Sequence, residues 1–195
     1  LPNFDVIFWK SLFFALMLLV CLLASQGIKG TIKVFKDVGW IGWVAGVVWG
    51  ISTFAFNYAF QHTAAANVLV ITAANPMFSA VGSYFLLKEH IPWRTIAAAV
   101  VCFVSIIIIF YGQLGSGDGD AMGLLNAVIA SLTMGIYFVL IRYAGMQMGA
   151  EPDMMPCNII AGFVVIIVVA PMCEFVGLTL YHLTILMING MLILP

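Results

Sequence analysis

"NVLVITAANPMFSAVGSYFLLKEHIPWR", residues 67–94, holds about six helical turns of apolar residues before Lys88, Glu89 and His90 follow in a row. Midway along it stands the pair Asn75 and Pro76. Pro76 has no N–H, so the carbonyl four residues back, on Thr72, loses its helical partner. An amide side chain and an unpaired carbonyl therefore fall at one depth of an apolar run. Buried polar groups cost free energy unless something polar meets them. A membrane helix tolerates such an interruption where neighbouring helices or a watery cavity satisfy it. The stretch therefore reads as a bilayer-crossing helix with a break near its middle.

The rest of the chain agrees. Of its 195 residues 64% are apolar and 8% charged, against roughly 25% charged in a soluble domain. It could not cover its own surface with polar groups. A net charge of -1 argues against a nucleic-acid partner. The four cysteines, Cys21, Cys102, Cys157 and Cys173, lie in or beside apolar runs without CxxC spacing, and read as small apolar residues rather than disulfides or metal ligands. The chain opens on Leu1 and stops in "MLILP" inside an apolar run, so both ends read as cut from a longer chain.

Uncharged runs mark the spans: residues 11–28 (with 4–10 as first turns), 38–61, 63–87, 95–117, 121–141 and 154–173, with a seventh from about 183 to 195. Such continuous runs are helical; barrel strands alternate and are about half as long. The connection "QGIKGTIKVFKD" carries Lys29, Lys33 and Lys36, "KEHIPWR" carries Lys88 and Arg94, and Arg142 opens the fifth connection. Alternating spans put these on one side, which the positive-inside rule makes cytoplasmic, with Lys10 as the exception and Asp118 and Asp120 on the other side. Trp40, Trp43 and Trp93 near the basic ends read as interface anchors. Gly42, Gly46 and Gly50 fall four apart on one face, and Ala127, Ser131 and Gly135 repeat the pattern. Small residues at this spacing let another helix approach closely where lipid removes the hydrophobic drive; the same faces could let helices slide.

These pieces together carry a resemblance. "TAAANVLVITAANPMFSAVGSYFLLKE", then "TIAAAVVCFVSIIIIFYG", then a restart in "GDAMGLLNAVIASLTMGIYFVLIRYA" are similar to EamA-like permeases of the drug/metabolite transporter superfamily. Pro76 in the middle of a span, Glu89 at its cytoplasmic end and the restart at Gly119 carry the likeness. The family often has Gly before that Glu, where this chain has Lys88; "FWKSLFFALML" resembles the second family helix, with Lys10 where Arg is common. The resemblance implies an all-α polytopic membrane protein, a helical bundle from a ten-helix fold of two inverted five-helix repeats, truncated at both ends. Family helices two to seven and the start of eight would be present. Residues 1–117 would be the first repeat without its first helix, and 118–195 the truncated start of the second. Such repeats place substrate near the bilayer midplane, beside interrupted helices.

The candidate solute-binding residues are Lys10, Trp9, Asn57, Thr72, Asn75 and Tyr137, with Pro76 as hinge. Each has a plainer reading. Asn75 and the Thr72 carbonyl either face a cavity or make one interhelical hydrogen bond. Lys10 lies roughly 9 Å into its helix, where a cation costs about 2.5–3.5 kcal/mol at membrane centre; it either snorkels outward or attracts a substrate carboxylate, with Trp9 as an aromatic wall. Asn57, Tyr58, Asn126 and Tyr137 serve as helix glue, interface anchors or ligands. Glu89 reads as an interface ion pair, and Phe54, Phe56 and Phe60 as packing. Asp5 and Glu174 lie at span edges, so the sequence offers no carboxylate well inside a span for proton coupling.

No HExxH, GxSxG or paired catalytic carboxylates occur. No catalytic residue, metal or cofactor is expected. The reading is a permease moving a small organic metabolite or drug by alternating access in a bacterial inner or plasma membrane. Its partners would be the lipid bilayer, the solute and, compatibly, a second copy in a homodimer, with no nucleic acid. The alternatives are a nucleotide-sugar or phosphorylated-sugar exchanger, which needs several inward cations where only Lys10 qualifies, a membrane-embedded enzyme, and a non-transporting assembly subunit.

Overall fold

The computed structural model describes residues 3–88, 90, 92–116, 121–148 and 154–173. Apart from short turns and connections these are helical, with no strand among the described residues. The elements are α1 (Asn3–Asp37), α2 (Gly39–His62), α3 (Ala65–Thr72), α4 (Asn75–Leu87), α5 (Trp93–Ser116), α6 (Ala121–Met148), α7 (Met155–Val169) and a closing 3₁₀ turn, Ala170–Met172. Counting α3 and α4 as one interrupted span, six are long and apolar enough to cross a membrane. The expected six complete spans are thus found, and the protein is an all-α multi-pass membrane protein. The seventh span, Asp118, Asp120 and Glu89 lie outside the described residues.

Three boundaries differ from the sequence reading. The connection expected after the first span is helical: α1 runs on to Asp37 through a break at Gly27, whose φ of 66 and ψ of 175 leave the helical region. A conformation with positive φ costs glycine least. The third span breaks at Ala73–Ala74 rather than at Pro76, which lies in the first turn of α4. There the missing N–H is one that a helix start leaves unpaired anyway. Helix α6 continues past Arg142 to Met148, so Arg142 is an exposed residue inside a helix rather than the opening of a connection.

The chain forms two compact units, Leu1–Ile51 with Met148–Pro195, and Ser52–Gln147. In the first, α1 and α7 run antiparallel. A Cβ on Gly162 would come within 2.8 Å of the Ala15 Cβ, and Asp5 lies beside Cys173 at the far end. The first half of α2 runs parallel to α7: Gly46 packs against Ile160 and the Cys157 carbonyl, and Gly50 against Val164 and the Ala161 carbonyl. The small-residue face read from the sequence is therefore a close helix contact, and Cys157 belongs to it as a buried apolar residue.

In the second unit, Ala59, Val68, Ile71, Ala74, Ile106, Leu124 and Ala127 form the core, contributed by α2, α3, α5 and α6. Cys102 packs against this cluster, as an apolar residue would. Gly135 of α6 seats on the backbone of Phe78 and Ser79, and Gly82 of α4 on Val139, so α4 and α6 run parallel. The second small-residue stripe is accordingly buried at Ala127, Ser131 and Gly135.

Helix α4 ends on Lys88, at φ 55 and ψ 30, the left-handed region where glycine ends many helices. A side chain there costs roughly 1–2 kcal/mol. Lys88→Gly is expected to stabilise the protein by about 1 kcal/mol, seen as a raised thermal midpoint in detergent. An unchanged or lowered midpoint would mean that this helix end does not hold the strained conformation.

Candidate functional site

The interruption between α3 and α4 is built from its neighbours. The Ala73 N–H turns back to Leu69 and that of Ala74 to Ile71, at 3.0 and 3.1 Å. The Thr72 hydroxyl donates to the Val68 carbonyl at 2.9 Å and to that of Leu69 at 3.1 Å. Met77 and Phe78 restart the ladder on the Ala74 carbonyl. Ala74 is 1% exposed within the core cluster, so this turn is held in place by packing on its apolar side. Asn75 and Pro76 open α4. The Asn75 Oδ1 is sealed from solvent and meets no hydrogen-bond donor among the described residues. Its own helix start carries the positive end of the peptide dipoles.

The other sequence candidates fall as follows. Asn57 donates its Nδ2 to the Thr53 carbonyl at 2.7 Å, four residues back, and Asn126 does the same to Met122 at 2.8 Å. Both amides thus bond within their own helix rather than across to another, because the i−4 carbonyl is the nearest acceptor in apolar surroundings. Tyr137 is 3% exposed, with its ring 5.6 Å from that of Phe138. Along α6 it lies between Gly135 and Val139, both of which pack against α4. Asn57, Thr72, Asn75, Pro76 and Tyr137 all belong to the second unit.

Trp9 and Lys10 belong to the first unit and are both half-buried. The Trp9 ring sits between Phe8 and Phe13 at 5.7 and 5.9 Å, and its indole N–H is buried without an acceptor among the described residues. One turn earlier Asp5 is fully buried and lies beside Cys173, whose thiol donates to the Val169 carbonyl at 3.4 Å. Asp5 does lie at the edge of its span, as read from the sequence. Its burial was not legible there, because it depends on which helix end packs beside it. Two further polar groups were missed. Ser52 donates across to the Ala130 carbonyl at 2.9 Å, and Ser131 is buried without a hydrogen-bond partner among the described residues. The spacing marked Ser131 only as a small residue. Tyr58 stacks on His62 at 4.2 Å, and Phe56 meets Phe60 edge-on at 4.7 Å, which is packing. Among the described residues no group of three or more His, Cys, Asp or Glu could hold a metal ion.

Six apolar helices, several of them in close contact through small residues and one interrupted midway, define a multi-pass helical membrane protein. Residues 1–111 match the EamA-like transporter family, more than half of the 195 residues, and the chain belongs to that family. It is 26% identical over 167 residues, 81% of the chain, to an uncharacterized transporter of Clostridium kluyveri. That match covers 53% of the relative, so the chain spans about half the length of this curated protein. No solved structure matches.

Proposed function

We propose that the full-length protein is a permease that carries a small organic solute across the cell membrane by alternating access between two helical repeats. Membership of the EamA-like family and the likeness to a protein named a transporter support transport over catalysis. Residues 1–117 would form the first repeat without its opening helix, and 118–195 the start of the second. The observation that carries the reading is the interrupted span, with a sealed and unsatisfied Asn75 Oδ1 at its restart. A buried acceptor with no protein donor is costly, and a hydrogen-bonding solute would relieve that cost. In the second unit Asn57, Thr72 and Tyr137 join Asn75 as proposed solute contacts, with Pro76 as the hinge, and in the first unit Trp9 and Lys10 are proposed as solute contacts of their own. Within the first unit Trp9 offers a buried donor without an acceptor among the described residues.

The substrate class is a metabolite, amino acid or drug rather than a sugar nucleotide, because Lys10 is the one cation placed well inside a span by the sequence reading. The test is uptake of labelled metabolites into liposomes bearing the full-length protein. Time-dependent accumulation of a solute without chemical change is expected. Conversion of the solute would favour an embedded enzyme, and no flux for any solute that changes the protein's melting point would favour an assembly subunit.

A further inference from the structure

Residues 29–37 were expected to be a connection between spans and are instead helical, set between Gly27 and Gly39, the two glycines with positive φ among the described residues. Residues 4–27 alone climb about 36 Å, more than the ~30 Å hydrocarbon layer. The helix beyond Gly27 therefore lies past the layer that the first part has already crossed. The Thr31 hydroxyl ties the junction by donating to the Gly27 carbonyl at 2.9 Å.

At about 100° per residue this short helix divides into three faces. Thr31 and Val38 turn into the protein, at 7% and 5% exposure. Ile28, Ile32 and Phe35 share a second sector, with Ile28 72% and Ile32 52% exposed. Lys29, Lys33 and Lys36 share a third, within about 60° of one another, and all three are exposed. Asp37 is the one acid among them. Beyond Gly39, Trp40 and Trp43 are exposed, and the Trp43 ring lies 6.4 Å from that of Phe35. An exposed apolar strip flanked by a lysine strip and by tryptophans is the arrangement of a helix lying in the plane of a membrane interface. Water would solvate the lysines but not Ile28 and Ile32, and hydrocarbon the reverse. The headgroup region suits both strips at once.

We propose that this helix docks on anionic phospholipid headgroups, with Ile28 and Ile32 seated at the acyl boundary and the lysine strip paired with phosphates. Charge complementarity selects the occupant: three lysines against one aspartate within eleven residues favour anionic over zwitterionic lipid.

The test uses the full-length protein. Native mass spectrometry with equal amounts of phosphatidylglycerol and phosphatidylcholine should show preferential retention of phosphatidylglycerol. Each of Lys29→Gln, Lys33→Gln and Lys36→Gln should weaken that preference about fivefold at low salt. In nanodiscs, Ile32→Cys carrying bimane, on a background with all native cysteines changed to alanine, should be quenched more by headgroup-nitroxide phosphatidylglycerol than by the phosphatidylcholine form. Added salt should narrow the difference. Equal retention and equal quenching by the two lipids would overturn the proposal. So would an absence of quenching by either, which would place the helix against water or another protein.

Discussion

Leucine at position 46 is expected to lower unfolding free energy by about 3 kcal/mol or more, the upper end of the overpacking range, measured by denaturant titration of the purified full-length protein. The physical reason is the closeness of α2 and α7. A Cβ on Gly46 would lie 2.8 Å from both Cβ and Cγ2 of Ile160 and 3.0 Å from the Cys157 carbonyl. These atoms are backbone or fixed close to it, so no rotamer change makes room and the helices must separate. Gly50 repeats the contact one turn on, at 2.8 Å from the Val164 Cβ. Separation at one position thus loosens both, and in lipid no hydrophobic drive presses the helices back together. Gly46→Ala should cost about 1–3 kcal/mol. Val47→Leu, next in sequence but 41% exposed, should leave stability within about 0.5 kcal/mol. If Gly46→Leu melted like Val47→Leu, α2 and α7 would not be in contact in the membrane.

That contact was half legible. The spacing of Gly42, Gly46 and Gly50 announced a close approach, because only small side chains at a four-residue repeat bring helix backbones together. It did not name the partner. The partner's contribution is Cys157, Ile160, Ala161 and Val164, an ordinary apolar helix face without a pattern of its own. The spans were legible for a simpler reason. Lipid forbids charge along about 20 residues, so Lys29, Arg94, Asp118 and Asp120 mark boundaries without any knowledge of packing. Polarity at those boundaries does not say whether the chain beyond them is loop or helix. Residues 29–37 looked like a connection because they are basic, yet an interfacial helix is basic too. At the candidate site, chemistry was legible and geometry was not. Pro76 announced an interruption, but a proline satisfies its constraint equally well by kinking a helix or by starting one. The turn at Ala73–Ala74 follows from the second option. Asn57 and Asn75 are the same residue type in similar apolar runs. One spends its amide on its own helix, and the other is left with an unsatisfied oxygen.

The unsatisfied oxygen makes Asn75→Leu a discriminating change. If Asn75 is only a packing detail, leucine removes a buried acceptor that has no donor among the described residues. Relief of that desolvation is worth about 1–3 kcal/mol, so the variant should be as stable as the parent or more stable, and flux should stay normal. If Asn75 binds solute, stability should again hold or rise, but transport should fall about tenfold for each 1.4 kcal/mol of lost contact. Stability gained and flux lost together separate a binding role from a structural one, because a merely damaged fold would lose both. Pro76→Ala supplies the second arm. It returns an N–H four residues after the Thr72 carbonyl, which favours joining α3 to α4 in one straight helix. Turnover should then fall with little change in apparent solute affinity, since the turn rather than the ligand contact is altered. Both variants are read as initial flux in liposomes, normalised to folded full-length protein. Normal flux from both would withdraw Asn75 and Pro76 from the proposed site.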